Sequence, residues 1–294
     1  MFFSLLRIEL FKIFKRPRTF IAFGAIAIIV FLVQFALKTN GTEFIDLFVS
    51  SQNETFIIPK EKMLNGFFIC VTILHTILVH VPLLVALISG DMISGESSGG
   101  TLRLLCAKPV RRSTIVLAKF SASVVYLALM LVWMALLSLF LSMVIFGTND
   151  LFVFKATSMY QMEAGDVLWR FVLGFLFAML ALTVVVALSL MLSAWSENSI
   201  GPIVATVCIV IIFTIIQQLE VPVFKDTVTP WLFTTHMLGW KGFFYIDADA
   251  EGSAIRGSIE NPGSIAVSAL ILLAYIFIFL AIAVRRLQRK DILA

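Results

Sequence analysis

Six long apolar runs constrain this chain more than any other feature of its sequence. A helix needs about 20 residues to cross the roughly 30 Å hydrocarbon core of a bilayer. Runs of about that length or longer occupy residues 19–37, 67–89, 115–146, 171–194, 200–216 and 264–284. Only 14% of the residues are charged, well below the roughly 25% of a soluble domain. The sequence therefore predicts an all-α membrane protein, with residues 1–294 as one transmembrane domain of six transmembrane helices.

The lengths of the runs predict how they are connected. Residues 115–146 are too many for a straight span and too few for two spans with a turn, so we expect one long or tilted helix that extends beyond the bilayer. The polar residues 195–199 separate the fourth and fifth runs, which predicts a hairpin of two spans. Both termini then lie on the same side of the membrane.

The charged residues between the runs predict which side that is. With the termini inside, the inner segments hold fourteen basic residues against five acidic ones, a net charge of +9, and the outer segments hold eight against thirteen, a net charge of −5. Cytoplasmic segments carry an excess of Lys and Arg. We therefore predict cytoplasmic N and C termini in a multi-pass protein of the bacterial cytoplasmic membrane. The basic residues are assigned to membrane topology, and no nucleic acid partner is expected.

Residues 1–18 precede the first run and have the pattern of an amphipathic helix. One stripe is apolar and consists of Phe2, Phe3, Leu6, Leu10, Ile13 and Phe14. Mostly opposite this stripe lie the polar side chains of Ser4, Arg7, Glu9, Lys12, Lys15 and Arg16. Pro17 disfavours helical continuation from Arg16. The pattern predicts an interfacial helix on the cytoplasmic leaflet, and the alternative is a helical extension of the first span.

The longest outer segment, residues 217–263, is rich in aromatic side chains. They are Trp231, Phe233, Trp240, Phe243, Phe244 and Tyr245. Aromatics at this density beside a bilayer are typical of re-entrant or interfacial helices at the level of the headgroups. Two interpretations have equal weight, an external gate over the exit of a pathway and a plain anchor.

Two histidines in the second run raise the question of a metal site. His75 and His80 are five residues apart and point about 140° from each other on a helix. The three cysteines have neither disulfide nor zinc spacing. We therefore predict no metal site and interpret the histidines as polar contacts between helices. Pro82 is expected to kink this span, as a structural bend or as a hinge.

Residues 90–112, between the second and third runs, carry the most specific pattern. Gly90 and Gly95 have the spacing of a phosphate-binding loop, but Glu96 stands where such a loop needs lysine. A carboxylate at this position repels phosphate, so we expect no nucleotide hydrolysis by this chain.

The second half of this segment predicts a short helix. After flexible glycines and serines, residues 101–107 form an apolar and basic stretch that Pro109 ends. Such a helix is connected to a span at each end, so it can transmit a movement between these spans and a partner. Leu102 and Leu105 are expected to pack on that partner, and Arg103 and Lys108 to pair with acids.

The pattern of this segment resembles the cytoplasmic loop of ABC type-2 transporter permeases. The matching positions are Glu96, Gly100-Thr101-Leu102, Leu104-Leu105, Pro109-Val110-Arg111 and Lys119. Ser97 departs from the pattern, because many members have a second charged residue there. The amphipathic start, the six spans and the long last outer segment also match, so the resemblance covers essentially the whole chain.

The resemblance implies a transporter subunit that is not itself an enzyme. The resemblance implies that residues 1–18 form a membrane-surface elbow helix and that residues 90–112 form a loop that contains a coupling helix. Two copies of a separate ABC ATP-binding subunit hold ATP and magnesium, and a second permease, identical or related, completes the assembly. The residues assigned to coupling with the ATPase are Glu96, Gly100, Thr101, Leu102, Leu105, Pro109 and Arg111.

Two functions are compatible with this sequence. The main hypothesis is the permease subunit of an ATP-driven exporter of an amphiphilic or lipophilic substrate. We expect the runs to contain no ionised side chain, whereas ion-coupled carriers usually keep one at mid-membrane. The alternative is a membrane assembly or maturation factor that acts on a periplasmic partner such as a metalloenzyme. An embedded enzyme is disfavoured, since no motif resembles a catalytic triad or paired carboxylates.

Overall fold

The protein is a bundle of long helices joined by short helices and one small hairpin. The computed structural model describes residues 1–50, 63–107, 109–155, 158–219, 221–247 and 255–290. Its long helices are α2 Pro17–Ser50, α3 Gly66–Ser89, α6 Arg112–Phe146, α7 Ala164–Trp195, α8 Ile200–Gln218 and α11 Pro262–Arg289. Its short helices are α1 Phe2–Lys15, α4 Asp91–Ser98, α5 Thr101–Cys106, α9 Pro222–Thr227 and α10 Phe233–Met237. Two 3-10 helices, Thr229–Trp231 and Leu238–Phe244, flank α10.

These elements confirm an all-α membrane protein. Within the described residues, five helices are long and apolar enough to cross a membrane, and the bent pair Gly66–Ile77 and His80–Ser98 adds a sixth if it counts as one span. An antiparallel hairpin, β1 Leu151–Lys155 with β2 Ser158–Met162, departs from the all-α expectation. Aromatic and β-branched residues in β1 favour a strand locally.

Helix α7 is the centre of the bundle. In the most apolar 18-residue stretch of α7, 61% of the residues are buried, compared with 17% in the corresponding stretch of α8 and 6% in that of α11. It contacts α3, α6, α8 and α11, and small residues such as Ala178 and Ala181 face its neighbours. Helices α8 and α11 therefore present most of their apolar side chains to the outside of the protein.

Helix α3 is bent near its middle. Its two parts, which end and begin at Ile77 and His80, differ in direction by 54°. Pro82 has no backbone N–H, and its ring clashes with the carbonyl four residues earlier, at Leu78. The bend therefore lies where this proline disrupts the helix, and the predicted kink is confirmed.

Helix α6 is one continuous helix of 35 residues, as its length predicted. It contains a π-helical turn, Leu136–Phe140. The buried side chain of Gln34 on α2 donates hydrogen bonds there, to the carbonyl of Leu137 at 2.9 Å and to Ser142 Oγ at 2.8 Å. A π-turn disturbs the regular backbone hydrogen bonds, and the Gln34 amide supplies a donor at this point.

The two ends of the bundle differ in what they contain. One end, called the terminal end, contains α1, residues 90–112 and the end of α11. Arg112 Nη1 donates there to the carbonyls of Leu287 (2.9 Å) and Lys290 (2.7 Å). At the opposite end, called the loop end, lie the hairpin and the short helices between α8 and α11. Asn65 at the start of α3 donates to the carbonyl of Asp150 there, at 2.8 Å.

Candidate coupling site

Residues 91–98 form an ordered helix, α4, where a flexible stretch was expected. Gly90 has right-handed helical φ/ψ, so α4 follows α3 with almost no interruption. Ser193 Oγ, near the end of α7, accepts hydrogen bonds from the amides of Ile93 (3.1 Å) and Ser94 (2.9 Å). These bonds satisfy two of the amides that a helix start leaves without partners. The central helix thereby fixes the position of α4.

Four charged side chains from three helices form a closed cluster at the terminal end. Glu9 and Lys12 come from α1, Glu96 from α4 and Lys119 from α6. Lys119 Nζ lies 2.9 Å from Glu9 Oε2 and 2.8 Å from Glu96 Oε1. Lys12 Nζ lies 2.9 Å from Glu9 Oε1 and 2.6 Å from Glu96 Oε1. Each cation therefore bridges both carboxylates, and the formal charge of the cluster is zero.

The cluster buries Glu96, which is only 6% exposed. It also corrects two expectations from the sequence. Glu9 was placed on the polar face of α1, yet it is buried with Leu5 and Ile13 at spacings of four residues, while Phe3 from the apolar stripe is exposed. Lys119 lies within the run 115–146 and is 1% exposed, so that run does contain a charged side chain.

The environment of Lys12 favours its charged form. Burial alone would lower the pKa of Lys12, but hydrogen bonds to Glu96 and Glu9 and the negative charge of both carboxylates raise this pKa above its ordinary value. The Oε2 atom of Glu96 is buried without a hydrogen-bond partner. The charge of Glu96 is therefore balanced through its other oxygen, Oε1, which contacts both lysines.

A second ion pair attaches the start of α4 to the start of α2. Asp91 accepts hydrogen bonds from Arg16 and from Arg18. Arg16 has an extended backbone, and this residue separates α1 from α2. The helical break predicted before Pro17 is thus confirmed, and the alternative of one continuous helix is wrong.

Gly100 allows the chain to turn between α4 and α5. Its φ of 69° lies in the left-handed region, which glycine enters without the steric cost that a Cβ imposes. Helix α5 follows directly, at Thr101, and ends at Cys106, so the short helix predicted for residues 101–107 is confirmed. The turn exposes Gly100 and Thr101.

The solvent exposure of the leucines in α5 differs from the prediction. Leu102 is 2% exposed and belongs to the hydrophobic core of its own chain, which corrects its assignment as a partner contact. Leu105 packs against that core and is half-buried. Leu104 is 70% exposed and is the leucine that α5 presents outward. Periodicity alone did not distinguish these residues, because helical spacing does not fix which face meets the bundle.

The remaining residues assigned to coupling are also exposed. Pro109 and Arg111 are exposed, and Arg111 is the residue directly before α6. Arg103 is exposed as well, whereas Lys108, expected to pair with an acid, lies outside the described residues. The site therefore consists of the exposed surface of α5 and of the charge cluster that holds the preceding helix, α4.

The two histidines lie in different surroundings. The ring of His75 packs edge-on against Trp240, with centroids 5.1 Å apart. His80 is exposed, and its Nδ1 lies 2.7 Å from the carbonyl of Thr76 on its own helix. The structure thus brings His75, but not His80, into contact with the loop end.

A buried arginine fastens the outer segment to the central helix at the loop end. Arg170 is fully buried and forms an ion pair with Asp166 at 2.7 Å. It also donates to the carbonyls of Phe243 (2.7 Å) and Ser258 (2.8 Å). Phe233, Trp240 and Phe244 are buried, whereas Trp231 and Tyr245 are exposed. The aromatic residues therefore divide between packing inside the protein and facing outward.

The apolar exterior and the long helices define a multi-pass membrane protein. The chain belongs to the family described as ABC-2 family transporter protein, whose model matches residues 4–292. It is thus an ABC-2 type permease, the membrane subunit of an ABC transporter, and the family implies an ABC ATP-binding subunit as its partner. The resemblance found in residues 90–112 is confirmed. A search of curated proteins finds no match to the sequence.

Proposed function

We propose that this permease couples ATP hydrolysis on a separate subunit to export of an amphiphilic substrate, and that α5 is its contact with that subunit. The termini and the terminal end face the cytoplasm in this proposal, in accord with the +9 and −5 charge division. A second permease, identical or related, packs against this one through part of the apolar surface that α8 and α11 present.

The charge cluster is the observation that carries the proposal. Helix α5 follows α4 through the short turn at Gly100, and Glu96 on α4 is bonded to both α1 and α6 through two lysines. A displacement of α5 by a partner would therefore act on the amphipathic helix α1 and on the third span, α6, together. A loop that only connected two spans would not need buried ion pairs, since burying charge costs several kcal/mol per ion before the pairing returns it, by a rough estimate.

Exposed Leu104 offers a direct test of the contact. Leu104→Asp places a charge in an apolar contact with the ATPase, where it loses its hydration, so less of the ATP-binding subunit should copurify with the permease. The melting temperature of the isolated permease should stay unchanged, because the side chain is 70% exposed. Leu102→Asp should instead lower the melting temperature, because its side chain is in the core.

Gln288→Glu is the matched control, since it adds the same charge at an exposed position of the terminal end. Copurification should be unaffected by this substitution. If Leu104→Asp retained the ATPase and its stimulated turnover at the level of Gln288→Glu, α5 would not be the contact.

A further inference from the structure

A cavity of about 250 Å³ lies within this single chain, between α3, α7, α8 and the outer segment. Its deep wall is apolar and includes Leu74, Ala181 and Val210. Its other end is polar, with the amides of Gln217 and Gln218 at the end of α8. Eight residues separate Val210 from Gln218, so the cavity extends about 12 Å along the helix axis. One end thus suits hydrocarbon and the other suits a polar group.

Lys241 is the cation of this cavity. It lies on the 3-10 helix of the outer segment and is half-buried, and it has no ion pair with any residue in the part of the chain that the structure describes. Burial lowers the pKa of Lys241, which means that its charged form has lost hydration without gaining a partner. A bound anion would supply that partner.

Lys241 also lines a second cavity, of about 380 Å³, beside the start of α11. This second cavity is more polar, with Asn261, Ser264 and Ser268 among its lining residues and Glu260 as its acid. Lys241 therefore stands at the boundary between an apolar and a polar space, where the headgroup of an amphiphile would be expected.

A buried hydroxyl in the lining of the first cavity has no hydrogen-bond partner among the residues that the structure describes. It is Oγ1 of Thr234, a residue that is 5% exposed and lines the same cavity as Lys241. Buried polar groups are almost always paired, and an unpaired one calls for an explanation. A ligand with acceptor oxygens in this cavity would offer partners to the Thr234 hydroxyl and to Lys241.

We propose that this cavity binds a single-chain amphiphile with one anionic headgroup, a carboxylate or a phosphate, whose chain lies against Leu74, Ala181 and Val210 and whose headgroup binds Lys241. The inference deepens the proposed export function by naming its substrate class, and its role in transport rests on that function. A free inorganic anion would leave the apolar wall unused, and a neutral lipophile would leave Lys241 and Thr234 unpaired.

The test is photolabelling of the purified full-length permease in nanodiscs of neutral phosphatidylcholine. The probes are diazirine-bearing decanoic acid, the corresponding decyl phosphate and the corresponding decanol. The two acids should label peptides of the cavity wall, and the alcohol should label them roughly tenfold less, since a charge-assisted hydrogen bond is lost. The ratio of the two acids identifies the preferred headgroup.

Variants of Lys241 make the test specific. Lys241→Gln should reduce labelling by the acids roughly tenfold, Lys241→Arg should retain it, and Lys225→Gln should leave it unchanged, since Lys225 is exposed on α9 outside the cavity. Ala181→Leu should block labelling by filling the cavity while Lys241 stays in place. Melting temperatures would verify that the variants are folded.

The outcomes separate this inference from the proposed function. Equal labelling by acid and alcohol, unchanged labelling of Lys241→Gln, or labelling confined to the outer surface of α11 would overturn the binding site. Copurification of the ATPase is measured independently and tests only the coupling. Labelling of the cavity in a permease that binds no ATPase would therefore support the site and contradict the proposed export function.

Discussion

Removing one charge from the cluster of Glu9, Lys12, Glu96 and Lys119 should destabilise the permease. Glu96→Gln leaves two lysines with one carboxylate, and Lys119→Met leaves two carboxylates with one lysine. Removing one partner of a buried ion pair costs about 3–5 kcal/mol. Since each remaining charge keeps one partner within 2.9 Å, we expect the lower limit, about 3 kcal/mol for either variant.

The double variant Glu96→Gln, Lys119→Met should lose no more stability than either single variant. It leaves Glu9 paired with Lys12, so the cluster is neutral again. We expect a coupling energy of about 3 kcal/mol, the upper end of the range for residues in one ion-pair network. Each single substitution should lower the melting temperature by roughly 6–12 °C, and the double variant should melt no lower than the single ones.

Thermal unfolding in detergent, followed by tryptophan fluorescence at one heating rate, measures these differences. Glu163→Gln is the matched control, because Glu163 pairs with Arg256 at 3.0 Å with both side chains mostly exposed. Such a surface pair contributes about 0–1 kcal/mol. The reasoning is refuted if Glu96→Gln melts with the control, or if the double variant loses the sum of the two single losses.

Two further predictions concern the loop end and the topology. Arg170→Met removes the ion-pair partner of Asp166 and the donor to the carbonyls of Phe243 and Ser258. It should therefore lower the stability by roughly 3 kcal/mol and lower the melting temperature clearly, whereas Arg256→Met at the exposed pair should not. In a background without the three native cysteines, Arg256→Cys should react with an impermeant reagent in sealed cells and Leu104→Cys should not; the reverse result would invert the proposed orientation.

The positions of the helices could be predicted because local features of the sequence determine them. Apolar runs of membrane-spanning length define the long helices, and Pro17, Pro82 and Pro109 mark two boundaries and a bend through the chemistry of proline itself. Gly100 also belongs to this group, since a turn before a short helix favours a residue that tolerates positive φ.

The contents of the candidate site could not be predicted in the same way. The inward position of Glu9 depends on a cation from another helix 110 residues away, and α4 is ordered by Ser193 about 100 residues away. One signal was present: Glu9 lies four residues from both Leu5 and Ile13 on one face, and Lys119 stands within an apolar run. An acid and a base, each unusual for its surroundings, indicate a pair.

The same physics predicts that the cluster matters for coupling more than for stability. Replacing a buried ion-pair network by apolar residues of similar volume is often neutral or stabilising. The triple variant Glu9→Leu, Glu96→Leu, Lys119→Leu should therefore melt at or above the temperature of the native protein, with Lys12 left partly exposed to solvent. Apolar contacts are not directional, however, and they permit α1, α4 and α6 to shift against each other.

We expect the triple variant to bind the ATP-binding subunit, because Leu104 and the surface of α5 are unchanged, but to lose the dependence of ATPase turnover on substrate. Reconstituted complexes with equal amounts of the two subunits would measure this dependence. Native coupling in a stable triple variant would show that the cluster only fixes the fold, since no ion pair of the cluster would then remain to connect α4 with α1 and α6.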